Sequence, residues 1–231
     1  MVLHSRDAVM AGTERVRREI WVACDRAGRD PSEVRLIAAS KTVPSEAIRW
    51  AREAGIEDFG ENYVQELRAK HDAAPDARWH FIGTLQSHSA HLVADLADVV
   101  QTLAPGSAVG RLARRAAGRG RRLSALIEVD FTGERTGVVP EAVGGFADEV
   151  ASMEGIDLVG LMTIPPIAVD PEDVRPFFRR LRGMRDELAT RHPTVRELSM
   201  GMSMDFPVAI EEGATMVRIG TALFGERPPT K

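Results

Sequence analysis

A single cysteine, Cys24, is all that the 231 residues carry. That excludes an internal disulfide framework and any zinc site built on several cysteines, and it suits a reducing compartment. Tyrosine is equally scarce, with Tyr63 alone. No run reaches the roughly 18 to 20 consecutive apolar residues that a membrane span needs. The segment from Met1 to Arg18 is rich in charge and lacks an apolar stretch followed by a small-residue cleavage site, which excludes a secretory signal. Strong charge of one sign is absent too: the formal net charge is -4, which gives no general electrostatic reason to bind nucleic acid. The one local basic run, residues 111–122, reads as the exposed face and end of a helix. The expectation is a cytoplasmic protein with neither membrane nor nucleic-acid partners.

What is present is the composition of an ordinary soluble domain, with 44% hydrophobic and 28% charged residues. Residues 7–27 place Val9, Val16, Ile20 and Cys24 at helical spacing, with Gly28 as the stop signal. After this opening helix come eight short β-type runs, at 35–40, 56–59, 79–82, 99–103, 123–129, 158–162, 196–199 and 216–219. Helical patterns separate them, at 45–54, 62–73, 91–96, 108–117, 141–153, 171–190 and 206–212. Such alternation implies parallel pairing, and a doubly wound open sheet shares it. The count of eight favours a single (β/α)8 TIM barrel with an extra N-terminal helix, a fold that typically takes about 250 residues. No linker or composition shift divides residues 1–231, and Pro165 to Pro171 reads as a loop over the barrel mouth.

In this fold the working residues sit at the C-terminal ends of the strands, and phosphate is commonly held after strands seven and eight. Three features fall there. Ala39-Ser40-Lys41-Thr42 runs an apolar strand into a lysine, and partial desolvation would free its amine for condensation with an aldehyde. A lysine that snorkels to the rim fits the same residues. Leu198-Ser199-Met200-Gly201-Met202-Ser203 precedes a helix and could cradle a phosphate, or be a plain Gly-Ser turn. Met200 is counted with the cofactor-binding set, while the alternating Met202 and Met204 pack around the loop. Val217-Arg218-Ile219-Gly220-Thr221 ends strand eight with amides for the same phosphate. Arg218 would point into the barrel, toward a cofactor's pyridine nitrogen or toward a carboxylate such as Asp130 or Glu61.

These segments, taken with Phe59-Gly60-Glu61-Asn62-Tyr63-Val64-Gln65-Glu66, Trp79-His80-Phe81-Ile82-Gly83-Thr84-Leu85-Gln86, Gly160-Leu161-Met162, Asp205 and Met216, resemble the YggS/PROSC family of pyridoxal phosphate homeostasis proteins. The resemblance covers residues 7 to 227. It implies a barrel like the N-terminal domain of alanine racemase, holding pyridoxal 5′-phosphate as a Schiff base on Lys41. It also implies that Ser203, Gly220 and Thr221 hold the phosphate, that Arg218 faces the pyridine nitrogen, and that Asn62 and His80 line the ring's surroundings. Two positions depart from the family: Ser87-His88-Ser89 stands where Asn-Lys is usual, and Arg135 stands where a lysine is common. Both put in doubt a secondary cofactor site or transfer role that would use those lysines.

Carrier and catalyst are then separable. Arg218 cannot usefully protonate a pyridine nitrogen, because its own pKa exceeds about 12, so the electron sink is weakened. Alanine racemase tolerates an arginine there but takes a tyrosine from a C-terminal domain, which this sequence does not contain. Tyr63 reads as a packed or rim residue. His88, His91 and Asp95 have a spacing that can bind metal, and a solvated helix face accounts for them more simply. No metal is expected. The reading is a monomeric, non-enzymatic cofactor carrier that buffers pyridoxal phosphate or delivers it to apo-enzymes. The rivals are a small racemase-like enzyme and an interaction module that senses the cofactor.

Overall fold

A computed structural model describes residues 5–225. Residues 1–4, part of the segment read above for a signal, and residues 226–231 lie outside that range. Helix α1, Arg6–Ala27, starts where Ser5 accepts the Ala8 N–H at 3.2 Å and stops at Gly28, whose φ of 63° is left-handed. Its apolar stripe is buried as the spacing predicts: Val9, Val16, Ile20 and Cys24 all face inward.

Eight strands follow: β1 Arg35–Ala39, β2 Asp58–Glu61, β3 Arg78–Phe81, β4 Val99–Leu103, β5 Leu123–Val129, β6 Ile156–Thr163, β7 Glu197–Ser199 and β8 Met216–Ile219. They pair in parallel in chain order, and β8 closes on β1, so the sheet has no edge. The outer helices are α2 Ser45–Glu53, α3 Val64–His71, α4 Ala90–Leu96, α5 Ser107–Ala117, α6 Val143–Ala151, α7 Arg175–Ala189 and α8 Phe206–Glu211. The expected (β/α)8 barrel with its extra helix is therefore the observed fold. Helix α1 packs against α8, α2 and a short α9, Thr221–Phe224.

Strand alternation divides the side chains between two compartments. In β3, Trp79 and Phe81 join the wall between barrel and helices, while His80 points inside. The wall is the larger core and takes most of the buried aliphatic residues. Several elements differ from expectation, among them the helix 141–153, which opens as a 3-10 turn, Pro140–Ala142, before α6. Strand β2 lies two residues later than 56–59, because its ladder aligns Ile37 with Asp58 and Ala39 with Gly60. Its last residue, the fully buried Glu61, is made tolerable by Lys70 of α3. The expected helix 171–190 divides into a 3-10 turn, Pro171–Val174, and α7. Helix α9 is too short for periodicity to reveal.

The basic run at 111–122 is largely spent on structure. Arg115 grips Asp95 of α4 through two bonds of 2.8 and 2.6 Å, Arg121 donates to the carbonyls of Ala94, Asp95 and Ala97, and Arg122 pairs with Asp157. No helix among the described residues is long and apolar enough to cross a membrane.

Candidate cofactor site

At the C-terminal face the strand ends surround a cavity of about 320 Å³. Lys41, Asn62, Ser203, Arg218, Gly220 and Thr221 all line it, with Ala39, Ile82 and Ile164 as apolar wall. Six of the eight expected residues thus meet around one space. The other two lie elsewhere. His80 sits deeper inside the barrel, fully buried, because its strand position points it at Asp58 and Gln101. Met200 is also fully buried, packed into the wall cluster, and Met202 reaches the cavity in its place.

Lys41 lies two residues past the end of β1, and the chain on either side of it is pinned to α3. Lys70 Nζ donates to the Ser40 carbonyl at 2.7 Å, to Glu61 Oε1 at 2.7 Å and to Glu66 Oε2 at 2.6 Å. Ser40 Oγ donates to Glu61 Oε1 at 2.7 Å, and the Thr42 N–H donates to Glu66 Oε2 at 2.8 Å. That last bond holds Thr42 at φ 64°, the only non-glycine residue with positive φ among those described. A β-branched side chain there is strained, at a cost of order 1–3 kcal/mol. Burial pushes the Glu61 carboxyl up, against the opposing pull of the Lys70 ammonium. Its second oxygen, Oε2, is buried with no hydrogen-bond partner, as is Asn62 Oδ1.

On the opposite side, the loop after β7 turns tightly at Gly201, φ 94°. A Cβ there would lie 2.7 Å from that of Ala209 and 2.9 Å from Phe206 Cα, so only glycine fits. The Met202 N–H donates to Asp205 Oδ1 at 2.6 Å, the Arg218 N–H to the Gly201 carbonyl at 2.9 Å, and the Ala222 N–H to Ser203 Oγ at 3.3 Å. These bonds lock the β7 loop to β8 and α9, so that the Ser203 hydroxyl and the amides of Gly220 and Thr221 share one corner. Burial pushes the Asp205 carboxyl up.

Arg218 is buried between the two sides. It donates through Nη1 to Ser199 Oγ at 2.6 Å and through Nη2 to the Thr163 carbonyl at 2.9 Å. Neither expected carboxylate partner is used: Glu61 faces α3, and Asp130 accepts from Thr132 and from the Arg135 N–H. Burial pushes the guanidinium down to about 10, while the negative charges of Glu128 and Asp205 oppose that shift. It stays charged at neutral pH.

Several contributors lie beyond the eight expected cofactor-binding residues. Arg135 and Asp205 line the cavity, and so do Pro165, Pro166, Ile167, Ala168 and Pro171 of the loop after β6, which roofs the mouth as its proline content suggested. Ile167 and Val169 of that loop are almost wholly exposed, at 100% and 98%. Ser89, the other departure from the family pattern, is buried and donates to the Gln86 carbonyl at 3.3 Å. Tyr63 is 58% exposed and lines a neighbouring polar recess, not the cavity.

A closed barrel with a lysine after its first strand, an arginine on its last and a hydroxyl-and-amide corner between them defines a class. The chain belongs to the alanine racemase N-terminal domain family, which matches residues 14–228. Within it the chain is a member of the pyridoxal phosphate homeostasis proteins. It is 44% identical to the "Pyridoxal phosphate homeostasis protein" of Aquifex aeolicus over 218 residues, 92% of this chain and 96% of that one. The structure of PipY from Synechococcus elongatus with PLP bound is 35% identical, superposes with a TM-score of 0.80, and is matched over 91% of this chain and 100% of its own. Alanine racemase from Corynebacterium glutamicum, at 19% identity and TM-score 0.72 over 97% of this chain and 62% of its own, shares the fold.

Proposed function

We propose that this chain is a single-domain carrier of pyridoxal 5′-phosphate, anchoring the cofactor on Lys41 and serving intracellular cofactor homeostasis without turning over a substrate. When bound, the cofactor supplies an aldehyde that condenses with an amine and a pyridine ring that can draw electrons. The observation that carries the reading is the convergence of three unlike donors on one cavity: the Lys41 amine, the Arg218 guanidinium and the corner of Ser203, Gly220 and Thr221. That set matches an aldehyde, a ring nitrogen and a phosphate, in a space whose remaining walls are apolar.

Each residue has a task. Lys41 supplies the amine at a strand end held rigid by Lys70 and Glu66. Ser203 and the amides beside it would take the phosphate, and Arg218 would give a proton donor to the ring nitrogen without surrendering its proton. Asn62, whose buried carbonyl oxygen has no partner, would face a donor on the cofactor's edge. His80 and Met200 support the barrel from within and behind. The exposed Tyr63 is placed away from the cavity, which argues against the two-base racemase reading. Buffering and release to apo-enzymes follow as the role, in a cytoplasmic monomer.

Borohydride treatment of the loaded protein should fix the cofactor to the peptide containing Lys41, and Lys41→Ala should abolish both the labelled peptide and the visible absorbance band. A band that persists in Lys41→Ala refutes the anchor. Incubation with L- and D-amino acids in deuterated water should give no Lys41-dependent Cα exchange; steady exchange would favour the enzyme.

A further inference from the structure

Inside the barrel, below the cavity, one polar side chain from each of five strands forms an unbroken row. Arg218 on β8 donates to Ser199 Oγ on β7 at 2.6 Å, and Ser199 Oγ donates to Gln101 Oε1 on β4 at 2.6 Å. Gln101 Nε2 bonds His80 Nδ1 on β3 at 2.8 Å, and His80 Nε2 bonds Asp58 Oδ1 on β2 at 2.7 Å. All five residues are buried, and the row leads from the site to a carboxylate at the start of β2.

The row has a direction. A guanidinium only donates, so Ser199 must accept from it and give its own hydrogen to Gln101. The amide of Gln101 then presents its NH2 to His80, and Nδ1 must carry a lone pair. The imidazole proton is therefore on Nε2 and goes to Asp58. Reversing the row would leave the Ser199 hydrogen without an acceptor. It would also require an imidazolium at His80, which burial opposes, with Arg78 and Arg35 nearby acting in the same sense against the pull of Asp58.

We propose that Asp58, His80, Gln101 and Ser199 are positioning residues that hold Arg218 as a fixed, one-way donor, so that the cofactor's pyridine nitrogen is kept an acceptor without a proton. The inference rests on the reading that Arg218 faces that nitrogen. The charge on the guanidinium is opposed by burial and by Arg135 and favoured by Glu128 and Asp205, while the row fixes its orientation. Breaking the row loosens the guanidinium, admits water to the ring nitrogen and lets it titrate.

The test is ¹⁵N NMR of the full-length protein loaded with cofactor labelled at the pyridine nitrogen, followed from about pH 6 to about pH 9, around the ordinary histidine range. The shift should be flat in the wild type and in Ser199→Thr, which keeps the hydroxyl. It should show a protonation step in Ser199→Ala and in Gln101→Met, which removes both the acceptor and the donor at near-constant volume. Flat curves in both variants, with borohydride still placing the cofactor on Lys41, overturn the proposal and leave the functional reading intact. A protonated nitrogen in the wild type overturns the proposal together with the Arg218 assignment, and label on another residue overturns the anchor reading with it. A second readout needs no variant: histidine ¹⁵N shifts of the wild type should give His80 as the neutral Nε2–H tautomer, and an Nδ1–H form or an imidazolium at neutral pH overturns the row's direction.

Discussion

Replacing Lys70 by methionine tests whether the Lys41 strand end is held by charge or merely packed. Lys70 and Glu61 have side chains 7% and 0% exposed, and the ammonium spans three acceptors at 2.6 to 2.7 Å. Methionine keeps the volume and strands a buried carboxylate whose second oxygen already has no partner. Breaking one side of a buried pair costs about 3–5 kcal/mol, a large share of the roughly 5–15 kcal/mol typical of a domain. With a urea slope of about 2–3 kcal/mol/M, the unfolding midpoint should fall by about 1–2.5 M. The sign of the pH dependence follows from the carboxyl. Its folded pKa is raised by burial and rises further without the ammonium, so between the unfolded value near 4.3 and the folded one the native state binds the extra proton. Stability of the variant therefore drops as pH climbs through that window, and its deficit against wild type shrinks on acidification. Adding Glu61→Gln should restore much of the loss, because the stranded charge is gone. A deficit under about 1 kcal/mol, or a double variant no better than Lys70→Met alone, would refute the reasoning.

Three further outcomes are expected. His80 is held neutral by burial, so its contribution is complete above the unfolded pKa near 6.5 and is lost as pH falls below it; urea titration should find stability declining there, and His80→Gln should lack that slope. Thr42→Gly relieves the backbone strain at φ 64° and should raise the thermal midpoint by an amount equivalent to about 1 kcal/mol, net of glycine's entropy; a lower midpoint would mean that the threonine side chain is needed. Ser203→Ala should weaken cofactor binding by about 1.5–3 kcal/mol, the worth of a hydrogen bond to a charged group, and equilibrium dialysis of the variant measures it directly.

Much of this architecture can be read in the letters, and the exceptions have physical causes. Apolar runs separated by helical patterns give eight strands, and the lysine after the first and the arginine on the last are visible because charge at the end of a buried strand is unusual. Strand β2 is displaced because Gly60 and Glu61 look unlike strand residues until Lys70 is known to meet the carboxylate across nine positions. His80 fits a cavity wall on alternation alone, which tells inside from outside and says nothing of depth along the barrel axis. Asp58, Gln101 and Ser199 share their short strands with other polar residues, Glu61, Thr102 and Glu197, so nothing in the letters marks them out. Only closure of the barrel, which turns these positions into one interior, makes one row of them.

The cavity's floor and its roof belong to different mechanical regimes. The floor is made of strand ends knitted into a closed sheet, and opening it means disrupting the barrel itself. The roof is the single loop over Pro165 to Pro171, whose Ile167 and Val169 are almost wholly exposed. The roof loop stands outside the strand ladder, so its residues can change without disturbing the strand ends beneath. For the proposed carrier, that arrangement would let loop substitutions alter access to the cavity while Lys41, Arg218 and the Ser203 corner stay the same.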